Sequence, residues 1–118
     1  MIFISKNEDG ILAWQSILDD KKTVTRRFKP EPVGSIRAVC PGRGKFQVCK
    51  IFINSNEKHT DWYEKVIKPI DNEHCKHLLL RWEAEKEGFR TWEGLLNWFN
   101  QRKEDINKTI RIAFMKVT

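Results

Sequence analysis

The feature that most limits the fold is a succession of extended stretches with no helical period between them. "KTVTRRF" at 22–28 is rich in β-branched residues, "SIRAVC" at 35–40 alternates, and "KFQVCKIFI" at 45–53 runs on as a longer strand. Pro30 and Pro32 cannot donate to a ladder and separate the first two stretches. "PGRG" at 41–44 supplies turn chemistry between the second and third, which predicts a hairpin with Arg43 at its tip. Helical period lies only to either side. Ile11, Trp14, Ile17 and Leu18 predict a helix of about three turns, capped by Asn7 or Asp9 and ending near Asp20. "TDWYEKVI" at 60–67 predicts a short helix stopped by Pro69. Asn72 predicts the cap of a helix through "EHCKHLLLRWEAEKE", with Cys75, Leu78, Leu79 and Trp82 as its inner stripe and Gly88 at its end. Thr91 predicts the cap of another helix, burying Leu95, Leu96, Trp98 and Phe99. "MIFIS" opens the chain as a short strand and "TIRIAFMKV" closes it. The order β-α-β-β-β-α-α-β predicts an α+β fold on a mainly antiparallel, curved sheet. The regular βαβ alternation of a doubly wound parallel sheet is absent.

Charge is as unevenly placed as secondary structure. The net charge is +6, yet residues 21–50 hold nine Lys or Arg against Glu31 alone. Clustering of this kind is the electrostatic footprint of polyanion binding. At 118 residues the chain has the size of one domain, 1–118, and its 40% hydrophobic residues include five Trp. No apolar run approaches the roughly 18–20 residues of a membrane span, and "MIFISKNEDG" turns polar too soon for a secretory signal. Three sparsely placed Cys fit reduced thiols rather than a disulfide framework. The expectation is a cytoplasmic protein.

Two clusters carry chemistry. In "DDKKTVTRRF", six of ten residues are charged, and two Thr stand among four cations. Hydroxyls beside Arg and Lys make good donors to phosphate or carbonyl oxygens. On a regular strand Lys21, Thr23, Thr25 and Arg27 share one face, and Lys22, Val24 and Arg26 the other. Lys22 joins Thr25 only if the chain is still turning, or bulges, at Lys22. In "EAEKEGF", Glu83 and Glu87 share a helix face, and Glu87 lies in the last turn, where the dipole disfavours its charge. Such a carboxylate needs a cation beside it or tends to keep its proton. Trp62 and Trp92 are candidates to stack on a base. "HCKH" at 74–77 does not gather metal ligands from one helix, and neither a metal nor a cofactor is expected.

Taken together, the short first helix, "KKTVTRR", "IRAVCPGRGKFQVCKI", "EAEKEGF" before "WEGLLNWF", and the closing "IRIAFMKV" resemble the ASCH domain, of the PUA-like superfamily. The likeness skips residues 54–72, which read as a local insertion. The resemblance implies a pseudobarrel of five to six mainly antiparallel strands with flanking helices. It implies a basic cleft that binds RNA, DNA or a nucleotide-like ligand, with Lys21, Thr23, Arg26, Arg27, Arg43 and Lys45 as candidate contacts. One small bacterial branch hydrolyses the acyl amide of N4-acetylcytidine, and its Lys, Thr and Glu fall on Lys22, Thr25 and Glu87. This chain has Arg26 where that branch tends to be apolar. A ribonuclease and a Trp-surfaced protein-interaction module are the remaining alternatives.

Overall fold

The computed structural model describes residues 1–117; Thr118 lies outside the described residues. Helix α1 (Ala13–Leu18) leads into strand β1 (Val24–Arg27), followed by β2 (Ile36–Val39) and β3 (Cys49–Lys58). Helix α2 (His59–Trp62) continues into a wide π-turn at Tyr63–Ile67. Helices α3 (Glu73–Lys86) and α4 (Trp92–Gln101), a 3₁₀ turn at Ile106–Lys108 and strand β4 (Ile110–Lys116) complete the chain. The fold is α+β, on one open antiparallel sheet of order β1-β4-β3-β2. Among the described residues no helix is long and apolar enough to cross a membrane.

The hairpin forms, but with a longer loop than expected: β3 begins at Cys49, so residues 45–48 join the turn instead of the strand. β2 and β3 pair with Val39 opposite Cys49, and the loop between them carries Arg43 in a turn closed by Lys45 N–H on the Gly42 carbonyl. Alternation then selects the inner face: Val39, Cys49, Ile51, Ile53, Ile112 and Phe114 are all buried. Phe3, Ala13 and Ile17 close over them. A bulge between the pairs Ile53–Phe114 and Ser55–Ala113 shifts the β3–β4 register within this core. A second, smaller core joins Ala84, Phe89, Leu95 and Phe99.

Three local expectations need correction. "MIFIS" is not a ladder strand; Ile2 makes a single parallel bridge to Cys40 and Lys6 an antiparallel one to Leu12. Its carbonyls are shared: Phe3 and Ser5 accept from Trp14 and Ala13, satisfying the first N–H groups of α1. That same pairing holds Leu12 extended, so α1 starts late and has six residues rather than three turns. Asn7 shapes the preceding turn by accepting from Asp9 and Ile11 instead of capping the helix. In α3 the expected apolar stripe is not the buried one. Cys75 is exposed, Trp82 is 53% exposed, and the buried residues are Glu83 and Ala84. The sheet beneath presents arginines there, so the helix turns carboxylates inward.

The caps of the two long helices follow the sequence. Asn72 accepts from Cys75 N–H, and Thr91 from Gly94 N–H. α3 ends in a Schellman turn: Phe89 N–H bonds the Ala84 carbonyl and Gly88 N–H the Glu85 carbonyl, with Gly88 at φ 89°. A methyl group at Gly88 meets Ser16 only at ordinary contact distance, so the obstacle to a side chain is backbone conformation. Gly88→Ala is therefore expected to lower stability by about 1–2 kcal/mol. In urea denaturation the midpoint falls while the slope stays constant.

Candidate functional site

β1 is covered on both faces up to Arg26: Val24, Thr25 and Arg26 are buried, and Arg27 is half-buried. Its register sets Thr25 opposite Ile112, on the core side, and Arg26 opposite Arg111, on the other. Like charges directly opposite in an antiparallel pair repel. α3 lays Glu83 across them. Its carboxylate accepts from Arg111 Nη2 at 2.9 Å and Nε at 2.5 Å, a bidentate pair, and stands 2.8 Å from Arg26 Nη2. The last contact is an ion pair whose N–H is not aligned on the acceptor. Arg26 is held from three further directions. Its Nη1 donates to Glu87 Oε2 at 3.0 Å and its Nε to His59 Nδ1 at 3.0 Å. Its guanidinium carbon lies 4.8 Å from the Trp62 ring centre.

Glu87 ends α3 and meets its cations there. Lys22 Nζ donates to the Glu87 carbonyl at 2.8 Å and to the Val24 carbonyl at 2.8 Å, and lies 3.4 Å from Glu87 Oε1. One ammonium thus covers both the helix end and the carboxylate placed against the dipole. The chain is still turning at this point, because the N–H groups of Lys21 and Lys22 both donate to the Ser16 carbonyl. β1 becomes regular only at Val24, and that turn lets Lys22 and Thr25 reach one site despite their opposite parity.

Burial and charge set the titration of this cluster. Burial pushes the Lys22 ammonium down, partly opposed by Glu87 and reinforced by Arg27 and Arg26. For Glu83, burial acts upward, but Arg111 and Arg26 hold the carboxyl below its ordinary value. Burial, then Arg26, lowers His59 to about 4. Accepting at Nδ1 leaves the imidazole proton on Nε2, and the ring lies parallel to Trp92 at 6.1 Å.

A cleft of about 330 Å³ opens between the N-terminal stretch, β1 and α4. Lys22, Thr25, Arg26, Arg27 and Glu87 all line it. Lys21, Thr23, Arg43 and Lys45 do not; Lys21 edges a separate hollow, and Arg43 and Lys45 are exposed on the β2–β3 loop. Arg27 is half-buried, donates to the Ile2 carbonyl at 2.8 Å and lies 4.6 Å from the Phe3 ring centre. Among the described residues it has no carboxylate within ion-pair distance. Phe89, Trp98 and Phe99 supply an aromatic wall, with Trp98 edge-on to Phe99 at 5.0 Å. Among the described residues no three His, Cys, Asp or Glu side chains gather as a metal site requires.

Sequence reasoning did not find His59, Arg111 or the aromatic wall. Arg111 carried a signal, a cation inside the alternating "IRIAF"; a lone His before "TDW" carried none.

Removing the central guanidinium leaves carboxylates buried with too few cations. Arg26→Leu is expected to cost about 3–5 kcal/mol in urea denaturation. The folded state also resists protonation of His59. Its value is about 4 when folded against 6.5 ordinarily, so the unfolded chain binds more protons between those values. This stabilisation is complete above pH 6.5 and lost as the pH falls toward 4, a total of about 3 kcal/mol. His59→Gln keeps an acceptor for Arg26 and should flatten stability between pH 7 and 5. An equal drop in both proteins would show that another group is responsible.

Compared with known protein-family models, curated proteins and solved structures, the chain matches none.

Proposed function

We propose that the cleft binds a nucleotide or the end of a nucleic-acid strand, RNA foremost, in the manner of the ASCH domains that the motif order resembles. The observation that carries this reading is Arg27: a half-buried guanidinium in the wall of a cleft, with no carboxylate partner among the described residues. A desolvated cation of this kind is completed by an anionic ligand. Phe89, Trp98 and Phe99 in the same cleft offer apolar and π surface for a base. The volume suits a ligand of about one nucleotide. In this reading the N-terminal stretch is a further strand of a PUA-like pseudobarrel, bridged to β2 through Cys40 and tied to β1 through Arg27. Residues 54–72 are the addition to that plan and contribute His59 and Trp62 to the support of Arg26.

The test is titration of a short labelled RNA at rising salt. Affinity is expected to fall steeply between 50 and 200 mM, on the order of the losses that several phosphate contacts give. Arg27→Ala is expected to weaken binding about tenfold and to shallow the salt slope by about 1. A flat salt response, or an indifferent variant, would sink the proposal.

A second reading is favoured by one observation: Lys22, Thr25 and Glu87 share the cleft, and burial lowers the Lys22 ammonium. In this reading the protein hydrolyses the acyl amide of N4-acetylcytidine-like nucleosides. Lys22 hands a proton to Glu87, then takes the Thr25 hydroxyl proton as Oγ attacks the acyl carbon. Glu87 returns its proton to the departing amine, and water cleaves the resulting ester. Incubation with N4-acetylcytidine is expected to release cytidine, and Thr25→Ala to slow release at least a hundredfold. Absence of cytidine with the wild type, or undiminished release by the variant, removes this chemistry.

A further inference from the structure

The cations of the cleft differ in how fully they are used. Lys22 spends its three protons on two carbonyls and Glu87, and Arg26 is enclosed by Glu83, Glu87, His59 and Trp62. Arg102 is the opposite case. It stands at the C-terminal end of α4, on the cleft wall, with its side chain 56% exposed. Its Nε donates to Glu104 Oε1 at 2.8 Å, and its guanidinium carbon lies 4.7 Å from the Trp98 ring centre. Among the described residues its two terminal nitrogens donate to nothing.

The geometry points to Arg102 as the receptor for a terminal phosphate on the cleft's ligand, with Glu104 occupying its guanidinium until that phosphate arrives. This rests on the nucleotide reading above and adds to it the class of ligand: a phosphomonoester, either a mononucleotide or a phosphorylated strand end, rather than a nucleoside. The backbone supports an exchange of partners without rearrangement. Arg102, Lys103 and Glu104 N–H groups bond the Phe99, Asn100 and Phe99 carbonyls, and Lys103 sits at φ 55°. The two side chains are therefore presented from a fixed turn, and only their outer atoms need to move. A single-point exposed ion pair is weak and easily replaced. A phosphate accepts from two guanidinium nitrogens at once and carries more charge than a carboxylate. Stacking on Trp98 keeps the fork in place through the exchange. With Arg27 also lacking a carboxylate partner among the described residues, the cleft offers two guanidinium groups to a doubly charged ligand.

The experiment compares cytidine, cytidine 5′-monophosphate, and one oligoribonucleotide with and without a 5′-phosphate, by calorimetric titration. Wild type is expected to bind the phosphorylated member of each pair at least tenfold more tightly. Arg102→Ala removes most of that difference and weakens each unphosphorylated ligand far less than its phosphorylated partner. Glu104→Gln, which deletes the competing carboxylate, strengthens phosphorylated ligands about threefold or more. A preference confined to the oligonucleotide pair identifies a strand end, and one confined to the monomer pair a free nucleotide; both support the clamp. Equal binding within both pairs, unaffected by Arg102→Ala, overturns the clamp and leaves the cleft reading standing. If the wild type binds none of these ligands, the cleft reading fails and the clamp falls with it.

Discussion

Two arginines, Arg26 and Arg111, face each other across β1 and β4, and Glu83 is what makes that pairing tolerable. Much else follows from it. The helix carrying Glu83 must lie over the strand face rather than against the apolar core, so its inward surface is ionic. Among the described residues the ion pairs of Lys22, Arg26 and Arg111 are with Glu83 and Glu87, and His59 is disposed to stay neutral. A buried cluster of this kind is poor evidence for net stability, because desolvation offsets the attraction. What it supplies here is placement, since each charge has one position that satisfies its neighbours.

The same helix links that cluster to the cleft. Glu83 lies on the strand side, and one turn later Glu87 reaches the cavity wall. The Schellman turn brings the carbonyl of the C-cap residue Glu87 to Lys22, while the Thr23 N–H is taken by the carbonyl of Lys86, the last residue of α3. The start of β1 and the end of α3 are thereby stitched through backbone as well as side chains. Thr25, one residue into the strand, is presented from a rigid support.

Much of this was legible in the sequence, and the limits have physical causes. Asn72, Thr91 and Gly88 act locally, and each performs the role its type suggested. The oddity of Glu87, a negative charge at the wrong helix end, pointed correctly to a cation nearby. The α+β class and the antiparallel pairing followed from turn chemistry and alternation, but the expected order held five strands where the sheet has four. Periodicity misjudged α3 because it counts apolar residues, and the buried face of this helix is acidic. It misjudged "MIFIS" because a strand is defined by its neighbours: those carbonyls serve β2 on one side and α1 on the other. His59 was silent, since its value lies wholly in the acceptor it turns toward Arg26. Arg102 and Trp98 sit four residues apart at the end of α4, whose relation to β1 is purely tertiary.

The spacing of Glu83 and Glu87 has an evolutionary and engineering corollary. Four residues make slightly more than one helical turn, so both carboxylates stay on one side. Adding or removing a single residue in the last turn of α3 swings one of them by about 100° and separates it from its guanidinium. The exposed tip of the β2–β3 loop, residues 43–47, bears no comparable demand; its Phe46 is 96% exposed. Length drift and grafted segments therefore belong in the hairpin loop, while the span from Glu83 to Gly88 is a fixed measure.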